Sequence, residues 1–127
     1  SIKCKINCVD QTSLLRNVNL AVNEHKLDRK LLLAVIRVES AFQIKAQNRS
    51  NVGLTQVNLY YHRPKFKGPY YDIGENVRVG AIILKDCLKK HKQNKDKALV
   101  CYNGGADKMY VVKVNRAYQE IDKLILG

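Results

Sequence analysis

Apolar residues recur along this chain at intervals of three and four, the spacing of one helix face. From Gln11 to His25 the stripe is Leu14, Leu15, Val18, Ala21 and Val22, with Asp10, Thr12 or Ser13 placed to cap its start. Leu27 and Asp28 restart the chain, and Asp28 reads as the N-cap of a second helix built on the run Leu31 to Ile36. Near the end of that helix stands a carboxylate, Glu39, on the same face as Leu32, Val35 and Ile36. A polar loop, Gln47 to Asn51, follows, and Gly53 to Gln56 reads as the opening of another helix that closes with Leu59 to His62. Arg63 to Tyr71 crowds two prolines and a glycine together and cannot be a regular element. Its bases and rings suit either the wall of a sugar groove or a surface connection that covers core edges.

Glu75 to Lys92 reads as the next helix, with Val79, Ile82, Ile83, Leu84 and Leu88 as its stripe. Gly80 would let another backbone approach closely, and the basic end Lys89 to Lys92 complements a helix C-terminus. Asn94 caps a short helix through Tyr102 that stops at Gly104 and Gly105. Asp107 opens the last helix, whose buried side would carry Tyr110, Val111, Val114, Tyr118, Ile121, Leu124 and Ile125. There are no repeats, low-complexity runs or linkers. The pattern predicts a mainly α fold: one compact helical domain over residues 1–127, with a central acid-bearing helix beside a cleft. A chain of 127 residues has room for one core.

Composition narrows the function. The net charge of +12, mostly lysine, is either a solvated surface or an attraction to polyanions. The lysines are spread rather than gathered in one arm and no nucleic-acid module is visible, so nucleic acid is not the expected partner. No apolar run approaches the roughly 20 residues of a membrane span. Ser1 to Cys8 alternates charge with single apolar residues, unlike a signal peptide, which implies a removed signal or another export route. Cys4, Cys8, Cys87 and Cys101 are buried thiols or disulfides, their spacing being wrong for a usual zinc site. A Cys4–Cys8 bridge within one turn looks strained, so each is expected to reach toward Cys87 or Cys101. His25, His62 and His91 are scattered without ligand spacing, and neither a metal nor a cofactor is implied.

Glu39 carries the chemistry. A carboxylate on an apolar face is costly unless it is protonated, paired or reactive. The bland reading is a buried acid neutralised by a lysine or arginine. The functional one is an acid with a raised pKa that donates a proton near neutrality, as a glycosidase requires. Hydrolases of this kind normally use a second carboxylate across the scissile bond. Between Ser40 and Tyr71 there is no Asp or Glu, and capping or exposure explains Asp72, Glu75 and Asp86.

Four segments fall in a telling order: Glu39-Ser40; Gly53-Leu54-Thr55-Gln56 with Asn58; Asp72 to Ala81 with Leu84 and Cys87; and Tyr102-Asn103-Gly104-Gly105. Together, over about Leu31 to Tyr118, they resemble the catalytic domain of soluble lytic transglycosylases, which is related to goose-type lysozyme. The nearest flavour is the small members that accompany secretion or conjugation machines or phage particles. The resemblance implies a lysozyme-like fold and a peptidoglycan substrate. Its action would be periplasmic, extracellular or carried in a phage particle, by a monomer that needs no cofactor. Anionic envelope polymers would be the further partners of the basic surface.

The resemblance also implies a mechanism. Glu39 protonates the oxygen between N-acetylmuramic acid and N-acetylglucosamine, the substrate's acetamide stabilises C1, and Glu39 then takes the proton of the C6 hydroxyl to give a 1,6-anhydro end. The absent second acid supports this route. Gln56 and Asn58 would bind the sugar, Asn48 would hydrogen-bond it from the preceding loop, and Asn103 would support the cleft. Tyr102 would orient Glu39 through its hydroxyl. Tyr118 would face the cleft or the core. Thr55 stands where the family usually has Met, which would reshape a subsite, and Gly104 replaces its usual Ala. The rivals are hydrolysis by a muramidase and a non-catalytic, basic peptidoglycan- or polyanion-binding module.

Overall fold

A computed structural model describes residues 9–126 of the chain. The Ser1–Cys8 lead-in with both of its cysteines lies outside the described residues, as does the side chain of Ile125. Helix α1, Gln11–His25, is capped by Asp10, which accepts from Ser13 N, and ends at a left-handed Lys26. Helix α2, Arg29–Ser40, is capped by Asp28 as its position predicts, through Lys30 N. Leu31 to Ile36 are buried on every side, which makes α2 the helix around which the others pack. It leans chiefly on α6, Tyr110–Leu126, while α4, Ile73–Lys90, packs on both α1 and α5, Lys95–Asn103. A continuous apolar core joins all five.

Between α2 and α4 the structure departs from the helical expectation. Residues 47–58 form a three-stranded antiparallel sheet: β1 Gln47–Asn48, β2 Asn51–Val52 and β3 Val57–Asn58. Its register pairs Gln47 with Val52, Asn51 with Asn58 and Val52 with Val57. Gly53 opens a tight turn rather than a helix, with left-handed φ values of 79° at Gly53 and 51° at Gln56. Only then does the short helix α3, Leu59–His62, begin, capped by Asn58. A residue with positive φ cannot continue a right-handed helix. The valines on either side of the turn, both buried, instead stack across β2 and β3.

Asn76 of α4 holds this sheet in place. Its Oδ1 accepts from Thr55 N at 2.8 Å and from Thr55 Oγ1 at 2.7 Å. Its Nδ2 donates to the carbonyls of Val52 and Tyr70, at 3.0 and 2.8 Å. The close approach requires Gly53, where a Cβ would overlap the Asn76 amide. It also requires Gly80, which makes room for the side chain of Thr55 rather than for another backbone. Thr55 is fully buried, so it anchors the turn and shapes no subsite surface.

The remaining boundaries shift by a turn or less. Asp72 moves the start of α4 forward by accepting from Glu75 N, and Asn94 caps α5 through Lys97 N. Asp107 caps the turn before α6, accepting from Met109 N. The segment Arg63–Tyr71 contains a single 3-10 turn, Arg63–Lys65, and closes on itself. Arg63 donates to the Tyr70 hydroxyl, Phe66 meets the Tyr70 ring edge-on, and Arg78 reaches back to the Lys65 carbonyl. Glu75 adds a bond from Lys67 N and a 2.8 Å ion pair with Arg78.

Cys87 and Cys101 are joined to one another, tying α4 to α5. That overturns the expected reach of Cys4 and Cys8 toward them: Cys87 on α4 and Cys101 on α5 face each other across a helix pair whose packing sequence spacing does not reveal.

Candidate active site

Two hollows meet at the C-terminal end of α2. The larger, about 670 Å³, lies between the end of α2, β1 and α6. The smaller, about 450 Å³, lies between β2–β3, α3 and the end of α5. Glu39 and Gln56 border both, so they mark the waist of one two-lobed cleft.

Glu39 reaches this waist because α2 runs from the core into the cleft and stops there. Ala41 and Phe42 adopt left-handed backbones that end the helix, and Ser40 folds its hydroxyl back onto the Ile36 carbonyl at 3.0 Å. Burial pushes the Glu39 carboxyl from its ordinary value of 4.5 up to about 7. A hydrogen bond from the Tyr110 hydroxyl to Oε2, 2.8 Å long, works against that rise, and the negative charge of Asp107 adds to it. Glu39 makes no ion pair with a lysine or arginine among the described residues. The outcome is a carboxyl poised to hold or release a proton near neutrality.

The hydroxyl on Glu39 is thus that of Tyr110, not Tyr102. Tyr102 donates instead to the Thr55 carbonyl at 2.7 Å and so fixes the Gly53–Gln56 turn from the other side. Both phenols are pushed well above their ordinary range, by burial first and then by the nearby Glu39. They remain donors at any pH the protein meets.

The other expected site residues divide between the lobes. Asn48, exposed on β1, borders the larger one. Asn58 and Asn103 border the smaller one beside Tyr102. Each of these two also has a structural duty: Asn58 Oδ1 accepts from Tyr60 N, and Asn103 Oδ1 accepts from Asp107 N, both at 2.9 Å. Gln56 directs its Nε2 to the carbonyls of Ala46 and Gly53, at 2.9 and 3.1 Å, leaving its carbonyl oxygen open to a ligand. Tyr118 borders neither lobe of the cleft; half-buried, its ring packs against the core, while its hydroxyl donates to Asp28 at 2.6 Å and Lys95 sits over the ring.

Sequence reading missed Tyr110, Asp107, Glu120 and the cations of the larger lobe. Tyr110 follows a helical stripe and reads as core, which it also is. Asp107 comes close enough to Glu39 to act on its charge, but it is paired with Lys113 at 2.7 Å, which holds its carboxyl below the ordinary range. Glu120 stands exposed on the wall of the larger lobe. Among the described residues no group of His, Cys, Asp and Glu is arranged to hold a metal ion.

A mainly helical domain with a small sheet, and a half-buried acid at the waist of a cleft, defines a lysozyme-like protein. Residues 16–125 match the family described as the transglycosylase SLT domain, and the chain belongs to that family.

Proposed function

We propose that this protein is a peptidoglycan lytic transglycosylase in which Glu39 acts first as acid and then as base. The observation that carries the reading is the placement of Glu39: a carboxyl raised to about 7, at the point where the two lobes of a cleft meet. A glycan strand laid through both lobes would present a glycosidic oxygen to Glu39. The acid gives its proton to the oxygen between N-acetylmuramic acid and N-acetylglucosamine as the bond to C1 breaks. The acetamide oxygen of the muramoyl residue closes on C1 and holds the developing positive charge. Glu39, now a carboxylate, takes the proton of the C6 hydroxyl as the C6 oxygen attacks C1 and the bond from C1 to the acetamide oxygen breaks, restoring the acetamide. The product is a 1,6-anhydro end, Glu39 is again protonated, and neither water nor a cofactor is consumed. Tyr110 fixes the Oε2 lone pair throughout, and its hydrogen bond steadies the carboxylate stage.

In this reading Gln56 and Asn48 bind the strand on one side of the cleavage point, and Asn58 and Asn103 on the other. Tyr102 supports Gln56 through Thr55. Asp107 serves as a charge beside Glu39 rather than as a free base, since Lys113 and Met109 N already occupy it. The whole chain, residues 1–127, acts as one domain on the cell wall, in the periplasm or outside the cell. The Cys87–Cys101 disulfide supports an oxidising compartment, and among the described residues no helix is long and apolar enough to cross a membrane.

A pure binding module has no use for an unpaired acid held above its ordinary pKa. The deciding experiment is mass spectrometry of muropeptides released from purified peptidoglycan. Products lighter by one water than hydrolysis fragments are expected. Reducing-end products would instead assign a muramidase and direct attention to Glu120 as the base. Binding without any product would leave only the non-catalytic module.

A further inference from the structure

The two lobes that share Glu39 differ sharply in charge. The larger is walled by Arg37, Lys45, Lys113 and Arg116, against Glu120 as its one carboxylate besides Glu39. Lys113 is paired with Asp107, but Arg37, Lys45 and Arg116 have no acidic partner among the described residues, and all three are exposed. The smaller lobe contains no lysine, arginine or aspartate. Its one basic group, His62, is held below its ordinary range by burial and by Lys65, and so is neutral at pH 7.

A glycan strand of alternating amino sugars is itself uncharged where its lactyl groups are in amide linkage. It offers hydrogen-bond acceptors but no opposite charge for three unpaired cations to recognise. The stem peptides that hang from the muramoyl lactyl groups do carry free carboxylates, at acidic side chains and at the C-terminus. We infer that the larger lobe is a stem-peptide site, in which Lys45 and Arg116, with Arg37, bind peptide carboxylates while the neutral lobe takes sugar alone. The enzyme would then prefer peptide-bearing strands to strands whose carboxylates are masked. This inference rests on the peptidoglycan reading above and deepens it.

The test uses full-length protein carrying Glu39→Gln, so that binding is read without turnover. Two probes are compared: soluble peptide-bearing glycan strands, and the same strands with their carboxylates converted to primary amides. The amidated strands should bind roughly tenfold more weakly, and this gap should narrow at high salt. Adding Lys45→Gln and Arg116→Gln, both at exposed positions, should weaken native strands by about the same factor and change amidated strands less than about twofold. Equal binding of the two probes, or equal weakening of both by the double substitution, overturns the stem-peptide site and leaves the peptidoglycan reading standing. If neither probe binds, the peptidoglycan reading itself fails and the inference falls with it.

Discussion

The Tyr110 hydroxyl donates a 2.8 Å hydrogen bond to Oε2 of Glu39, joining two residues 71 positions apart in the chain. The bond exists because α6 packs along α2, and it gives the acid a fixed orientation where burial strips part of its water. Tyr110→Phe keeps the ring in the core and removes only this donor. Because the bond favours the carboxylate, its loss should raise the Glu39 pKa further and move the alkaline limb of the pH–rate profile upward. The rate at low pH should fall on the order of tenfold as orientation is lost. Tyr102→Phe, which frees the Thr55 carbonyl instead, should raise KM and leave the limb in place. A pH profile for each variant separates the two, and an unmoved limb in Tyr110→Phe would count against its role.

The pH dependence of activity and that of stability should run together. Glu39 is a proton donor only below its folded pKa of about 7, so cleavage should decline above that pH. Its folded pKa lies above the ordinary 4.5, so folding favours the protonated form. Its stabilising contribution is complete below about pH 4.5 and is lost as pH rises through 7. Glu39→Gln removes the titration. It should abolish cleavage, by a factor of roughly a thousand or more. At pH 8 it should be more stable than the parent by on the order of 1–3 kcal/mol, a gap that closes toward pH 4. Urea unfolding of both proteins at pH 4, 6 and 8 measures it, and a pH-independent difference would contradict the assigned burial.

Asn76 is 1% exposed and bonds to Thr55, Val52 and Tyr70 at once. Asn76→Ala strands these buried groups without partners. A loss of about 3 kcal/mol or more is expected from the urea midpoint. Activity should fall further than the folded fraction does, because the Gly53–Gln56 turn that carries Gln56 loses its anchor. Gly80→Ala should act similarly by pressing on Thr55.

The Cys87–Cys101 bridge closes a short loop, the two residues being 14 apart, and Cys101 borders the smaller lobe. Replacing both by alanine should lower stability by roughly 3 kcal/mol. Thermal unfolding with and without reductant checks this: reductant should lower the parent's Tm by more than that of the alanine variant, which retains Cys4 and Cys8.

Much of the scaffold was legible in the sequence. The stripe Leu14, Val18, Ala21, Val22 and the run Leu31 to Ile36 specify α1 and α2, because a helix with one apolar face must bury it. Asp10, Asp28, Asp72 and Asn94 cap helices through contacts within three residues, which local chemistry decides. The departure came at Gly53–Gln56. There a glycine and a glutamine of positive φ make a turn between strands only two residues long, too short for an alternating pattern to announce.

The site divides along the same line. Sequence alone determined that an acid, Glu39, would sit on an apolar helix face near a polar segment, since helical spacing fixes which residues share a side. Only the tertiary structure decided how that acid behaves. Tyr110 from α6 gives the hydrogen bond, Asp107 the neighbouring charge, and the convergence of α2, β1 and α6 the basic lobe. Each of these depends on which helices pack together, and packing brings distant residues into contact through shape and burial, neither of which has a period that the chain displays.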